Sequence, residues 1–180
     1  KHHKETKSSR SVIVLLATRS IIWPHILNLF QVPNFCRLKR MISLSKFEHV
    51  VFDLDRTVWD TYDRFNTLIW AKQLVFPLSF NDAGHVVDDV GSVCILRPGI
   101  TNFLSELFES GKLISFLSVG GIKDRQPGFQ PSLILLQMFD IGKYFEGDRL
   151  LLYKTCPKVG ALSCTKSTIM FDDNAKTRDE

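Results

Sequence analysis

The sequence predicts an α/β fold in which a parallel sheet is flanked by helices and a small flap follows the first core strand. Three observations carry that expectation. Mainly apolar runs at residues 50–52, 113–117 and 168–171, with Ser115 and Thr168 their only polar members, lead without alternation into Asp53, Ser118 and Asp172, as strands buried on both faces of a parallel sheet do. Between the runs lie segments with apolar residues at helical spacing, the usual crossovers of parallel strands. At 180 residues and 44% hydrophobic, the chain can build one domain with a substantial core.

Charge divides the chain before its elements do. The formal net charge is +4 and the pI about 8.9, but residues 1–40 hold eight of the 23 Lys and Arg and one of the 19 acids. The remainder carries 15 basic and 18 acidic groups, a net of −3. The basic pI is therefore no argument that the domain binds nucleic acid. Residues 1–40 are rich in Arg and Ser and nearly free of acid, as a mitochondrial transit peptide is. The favoured reading is a non-native or untranslated leader, ahead of the transit peptide, and residues 12–17 could also form a short signal core. A membrane span needs about 20 apolar residues, and Arg19, Pro24 and His25 interrupt any such run. The expected division is 1–40 as a basic leader outside the fold and 41–180 as the domain, opening at Met41. The expected location is cytoplasmic, or mitochondrial if the leader is a transit peptide. Cys36, Cys94, Cys156 and Cys164 form no Cys-x-x-Cys pair, which fits reduced thiols.

After the first strand, residues 66–76 read as a short helix broken at Pro77. Residues 81–91, with Gly84 and Gly91 at the turns, read as a hairpin in which Asp82, Asp88 and Asp89 are solvated turn carboxylates. Only about thirty-five residues separate Asp60 from Leu96, room for a flap (61–96) and none for a large cap. Pro98 opens a helix that Gly111 closes, with Ile100, Phe103, Leu104, Leu107 and Phe108 on one face. The strand at 113–117 ends at Ser118 on a glycine-containing turn. Residues 122–131, holding Pro127, Gly128 and Pro131, read as an insertion before a helix at 132–139 that Gly142 closes. Beyond it come a strand at 150–153, the loop KTCPKVGAL and a last strand at 168–171, delivering Asp172, Asp173 and Asn174. The strand and helix that usually complete such a fold are expected to be truncated, with the final sheet edge missing or disordered.

The chemistry centres on residues 50–60, VVFDLDRTVWD. On an extended chain Asp53 and Asp55 leave on one side and can share a cation, while Leu54 points into the core. Paired acids at that spacing suit magnesium. Asp-x-Asp-x-Thr alone is a weak signal, since a solvated acidic turn produces it too. The order of the motifs downstream strengthens it: Ser118 at a strand end where it can meet a phosphate oxygen, a loop with Lys154 and Lys158, and then Asp172 and Asp173. Ser118 also has a plain reading, as a cap of the next turn.

On VVFDLDRTVWD, ILRPGITNFLSEL, FDIGKYFEGD and IMFDDNAK, the chain from about Phe47 onward resembles haloacid dehalogenase (HAD) superfamily phosphatases, most closely the eukaryotic magnesium-dependent phosphatase family. The resemblance implies a HAD-like Rossmannoid sheet and a hydrolase, a Mg²⁺-dependent phosphatase of the protein phosphatase kind. It would cleave a phosphomonoester, phosphotyrosine in a protein or a sugar phosphate, through an aspartyl phosphate. It makes Asp53 the nucleophile and Asp55 the acid and then the base, with the Asp55 carbonyl on the metal. Asp173 becomes the remaining metal ligand, with Asp172 the second choice. Lys158, in preference to Lys154, balances the phosphate, and substrate contacts fall at Leu54, Ser118, Val119 and Lys158. Thr57 completes the loop contacts or is structural. Val119 departs from the polar or basic residue the family places after its serine, and the 122–131 loop departs as well. The partners implied are a phosphorylated protein or small phosphomonoester, with no nucleic acid, no membrane for the domain, and a monomeric state. Two other readings compete: a catalytically inactive HAD-like binding or scaffold protein, and a receiver-type signalling domain, whose acidic and lysine motifs come in a different order.

Overall fold

The structure, a computed structural model, describes the backbone of Val12–Leu16 together with residues 44–153 and 167–173. In chain order its elements are β1 (Val12–Leu16), β2 (His49–Phe52), β3 (Trp59–Tyr62), β4 (Leu68–Ile69), β5 (Leu78–Phe80), β6 (Val86–Asp88), β7 (Val93–Leu96), α1 (Ile100–Glu109), β8 (Leu113–Ser118), α2 (Pro131–Met138), β9 (Arg149–Leu151) and β10 (Thr168–Asp172). The strands form two sheets, so the chain is mixed α/β.

The first sheet runs β1-β10-β2-β8-β9 with every neighbouring pair parallel. All four expected core strands are present, with ends shifted by no more than two residues. From β2 the chain steps outward through β8 and β9, then returns to β10 on the other side of β2. Strand order thus reverses between β2 and β10, and the crevice at their carboxyl ends is where open α/β sheets take ligands.

The N-terminal segment joins this sheet. Val12–Leu16, in the segment expected to stand outside the fold, pairs along its whole length with β10, from Val12 opposite Thr168 to Leu16 opposite Asp172. A run of β-branched and leucine residues suits a strand, and it satisfies main-chain groups that β10 would otherwise present as an open edge. β10 is therefore an inner strand of the sheet and β1 forms its edge.

One face of the parallel sheet presents Val50, Phe52, Ile114, Phe116, Ile169 and Phe171 to a core shared with α1 and α2. Phe52 stacks on Phe171 at 5.2 Å, and Phe103 of α1 meets both edge-on at 5.9 and 5.7 Å. Truncating such a ring in a packed core costs about 3–5 kcal/mol. Helix α1 buries Ile100, Phe103, Leu104 and Leu107, whereas Phe108, expected on that face, is 38% exposed. It lies one residue, 100° of helix turn, beyond Leu107 and meets Tyr144 edge-on at 5.9 Å. Helix α2 ends earlier than expected, with Asp140 in the left-handed region; Gly142 opens a 3₁₀ turn instead of closing the helix. The opposite face carries a smaller cluster of Val51, Leu117 and Met170. At the start of the same three strands the buried His49 ring joins its neighbours, with Nε2 2.7 Å from Ser115 Oγ and Nδ1 3.3 Å from Thr168 Oγ1.

The second sheet, β4-β3-β7-β6-β5, is antiparallel and forms the flap between Trp59 and Leu96. The helix expected at 66–76 is replaced by β4 and one 3₁₀ turn, Ala71–Gln73. The cause is Asp63, whose Oδ1 accepts the N–H groups of Phe65 and Thr67 at 2.9 and 2.7 Å and fixes a tight turn around Asn66, φ 62°. Asn81 does the same for Ala83 and His85. Asp88 is not the solvated carboxylate expected but a buried one. Its Oδ1 accepts from Val90 and Ser92 at 3.1 and 2.6 Å, its Oδ2 from Val75 at 3.0 Å. Burial opposes its charge, but the N–H groups of Val75, Ser92 and Val90 outweigh that and hold the carboxyl below the ordinary range.

The flap is packed down on the domain. Buried Trp59 lies against Phe139 at 6.5 Å, Phe80 meets the same ring at 6.2 Å, and Ala71 and Leu74 enter the main core. The 122–130 loop is likewise fastened: buried Gln130 accepts from Ile122 N–H at 2.8 Å and donates to the carbonyls of Ile122 and Arg125 at 2.8 and 3.3 Å.

Candidate metal and phosphate site

Strand β2 delivers Asp53, whose N–H donates to the Phe171 carbonyl at 2.8 Å and so locks it beside β10. Asp172 ends β10 and Asp173 comes directly after it. The three carboxylates offer one oxygen each, all within 4.8 Å of one another, with Asp53 and Asp172 buried and Asp173 half-buried. They stand at the carboxyl ends of adjacent strands where the strand order reverses. Three carboxylates this close could hold a cation, and an all-oxygen donor set fits a hard ion such as Mg²⁺ or Ca²⁺ better than zinc or copper.

Asp55 has a different setting. The Leu54 carbonyl accepts from the N–H groups of Thr57, Val58 and Trp59 at 3.2, 2.8 and 3.3 Å, and Arg56 takes φ 65°, so the chain turns sharply after β2. That turn ends the simple alternation of the strand. The Asp55 carboxylate faces the flap, where Oδ1 accepts from Trp59 Nε1 at 3.0 Å and from Ala71 N–H at 2.9 Å. Oδ2 is buried and has no hydrogen-bond partner among the described residues. Burial raises the pKa of Asp55, against the Ala71 and Trp59 hydrogen bonds and the charges of Arg56 and Lys72. Asp53 therefore gathers with Asp172 and Asp173 through side chains, not with Asp55; sharing with Asp55 would run through its main-chain carbonyl.

Leu54, Thr57, Ser118 and Val119 lie at or just beyond the carboxyl ends of β2 and β8. Leu54 is fully buried, and Ser118 is the buried last residue of β8, level with Leu54 when the register of Phe52 and Phe116 is continued. Its carbonyl accepts from Leu152 N–H at 2.7 Å. Val119 is half-buried. The turn beyond is tight enough to need glycine: a Cβ on Gly120 would lie 2.6 Å from Ser132 Oγ, and one on Gly121 2.9 Å from the Tyr153 ring. Thr57 is buried, and its Oγ1 has no hydrogen-bond partner among the described residues. Lys154 and Lys158 lie outside the described residues.

Two residues that the sequence did not single out belong to this neighbourhood. Trp59 is the first, as the partner of Asp55. The second is Arg97, which grips Asp60 at 2.8 Å. Burial pulls its guanidinium below the ordinary range against the attraction of Asp60 and, more weakly, of Tyr62 and Asp173. A lone arginine between an apolar strand and a helix-opening proline is the signal that could have marked it. No protein-family model matches the chain and no curated protein matches it, so the family resemblance stands on these residues alone.

Proposed function

We propose that the protein is a metal-dependent phosphatase of the HAD type, closest to the eukaryotic magnesium-dependent phosphatases, acting on a phosphomonoester. The observation that carries this reading is the convergence of Asp53, Asp172 and Asp173 within 4.8 Å at the reversal point of the parallel sheet. Asp53, Asp172 and Asp173 would hold Mg²⁺, which supplies charge stabilisation for the phosphoryl oxygens. Asp53 offers a carboxylate oxygen to phosphorus. As that bond forms and the bond to the leaving oxygen breaks, Asp55 gives its proton to the leaving oxygen. A water molecule then attacks the aspartyl phosphate, Asp55 takes a proton from it, and Asp53 is released with inorganic phosphate. The burial that raises the pKa of Asp55 supports the first half of that role. Lys158 would balance the phosphate charge, and Ser118 and the turn after it would meet its oxygens.

The test is hydrolysis of p-nitrophenyl phosphate by the full chain with chelator and with added Mg²⁺, beside the Asp53→Asn variant. Turnover restored by Mg²⁺ in the wild type and absent from the variant is expected. Metal-independent turnover, or an active Asp53→Asn protein, refutes the assignment. A folded wild type with no turnover favours the inactive scaffold reading.

A further inference from the structure

We infer that the flap positions Asp55 through Trp59 and the Ala71 main-chain N–H, so that Trp59 is a positioning residue for protonation of the leaving group. The inference rests on the phosphatase reading above and adds what holds the proton donor in place. Both donors to Oδ1 come from the flap, one from β3 and one from the 3₁₀ turn after β4. Two donors on one oxygen fix the rotation of the carboxyl group. They also leave Oδ2 as the oxygen that carries the proton, and Oδ2 is the one without a hydrogen-bond partner among the described residues. The hold is rigid at its base, because Trp59 is fully buried against Phe139 and Ala71 is fully buried in the main core. In the transfer step the Oδ2 proton passes to the leaving oxygen as that oxygen's bond to phosphorus breaks and the Asp53 bond forms. A flap that lifts away takes both donors with it, and the carboxyl group is then free to turn.

Leaving-group dependence separates positioning from mere packing. Nitrophenolate departs without a proton, whereas phenolate gains much from one. Trp59→Phe keeps a ring in the core and deletes the N–H. Ala71→Pro deletes the second donor at the first residue of a 3₁₀ turn, where proline is tolerated and Trp70 before it is already extended, φ −97° and ψ 144°. In the Mg²⁺-loaded full chain each variant should slow release of phenol from phenyl phosphate in a single turnover by roughly 10- to 100-fold and release of nitrophenolate by no more than about twofold, a readout of the first step alone, since the later hydrolysis of the aspartyl phosphate also uses Asp55 and is common to both substrates. Equal losses on both substrates overturn the inference and leave the phosphatase reading standing; a wild type inactive on both overturns the two together. A second measurement needs neither turnover nor a folded flap variant. In metal-free protein, hydrogen exchange at the Trp59 indole and the Ala71 amide should quicken by roughly 10-fold or more in Asp55→Ala relative to wild type. Unchanged exchange at both positions refutes the proposed latch.

Discussion

Replacing Asp172 by asparagine should stabilise the metal-free protein and remove its response to Mg²⁺, two effects of opposite sign from one isosteric change. At 4.8 Å and an effective dielectric near 20, two unit charges repel by about 3 kcal/mol. Asp172 lies beside both Asp53 and Asp173, so two such pairs sum to about 7 kcal/mol of bare repulsion, which the polar contacts of all three residues offset in part. Solvent at half-buried Asp173 and the nearby Arg97 reduce that repulsion, and about 1–3 kcal/mol is what should survive. For a chain of this size that is a rise in Tm of about 3–10 °C in chelator. The wild type should gain about 2.7 kcal/mol from a cation at a hundredfold excess over its Kd, and Asp172→Asn should gain little. Thermal unfolding of both proteins in chelator and across a Mg²⁺ titration measures both effects. A lower Tm for Asp172→Asn in chelator, or an undiminished Mg²⁺ shift, would refute the account of a repulsive cluster relieved by a cation.

Asp88→Ala leaves three flap N–H groups without their acceptor and should destabilise the protein by about 2–4 kcal/mol in urea unfolding. Because the folded-state pKa of Asp88 lies below the unfolded one, its contribution should be complete above about pH 4 and drain away as pH falls through the folded value. A difference between wild type and Asp88→Ala that is flat from pH 7 to pH 2 contradicts this. Removal of residues 1–40 uncovers the side of β10 that β1 occupies; it should lower the urea midpoint and promote concentration-dependent association. An unaltered midpoint and a monomeric product would show that β1 adds nothing. Lys158→Ala should raise KM and lower kcat together while Lys154→Ala stays near wild type, measured side by side on p-nitrophenyl phosphate. The reverse outcome moves the phosphate contact to Lys154.

Four of the five parallel strands were legible because each is a mainly apolar run, interrupted only at Ser115, that leads to a polar residue, a pattern that needs no tertiary information. The flap was legible as a flap but not in its detail. A single side-chain acceptor on two amides, as at Asp63 and Asp88, decides between turn and helix, and propensity does not record it. The site divides the same way. Asp53, Asp172 and Asp173 follow from strand ends, whereas the attachment of Asp55 to Trp59 and Ala71 depends on the left-handed turn at Arg56. Arginine is not a residue whose letter announces such a backbone. The pairing of β1 with β10 was hidden by charge: the basic residues around 12–16 suggested a leader, and composition averaged over forty residues masks a five-residue strand.

The place of β10 between β1 and β2 also sets the order in which the protein can be completed during synthesis. His49 and Thr168 touch across 119 positions of chain, and β1 lies farther still from its partner. Chains emerge from the ribosome N-terminus first, so β1 is made first and paired last. Its five apolar residues must wait unpaired while the rest of the chain is made, which invites chaperone binding or misassociation. Asp53 waits with β2 for the same late event, since Asp172 and Asp173 arrive only with β10. Closure of the sheet and assembly of the three acids are thus a single late step, and variants that slow β10 docking should lose yield of folded protein and metal binding in parallel.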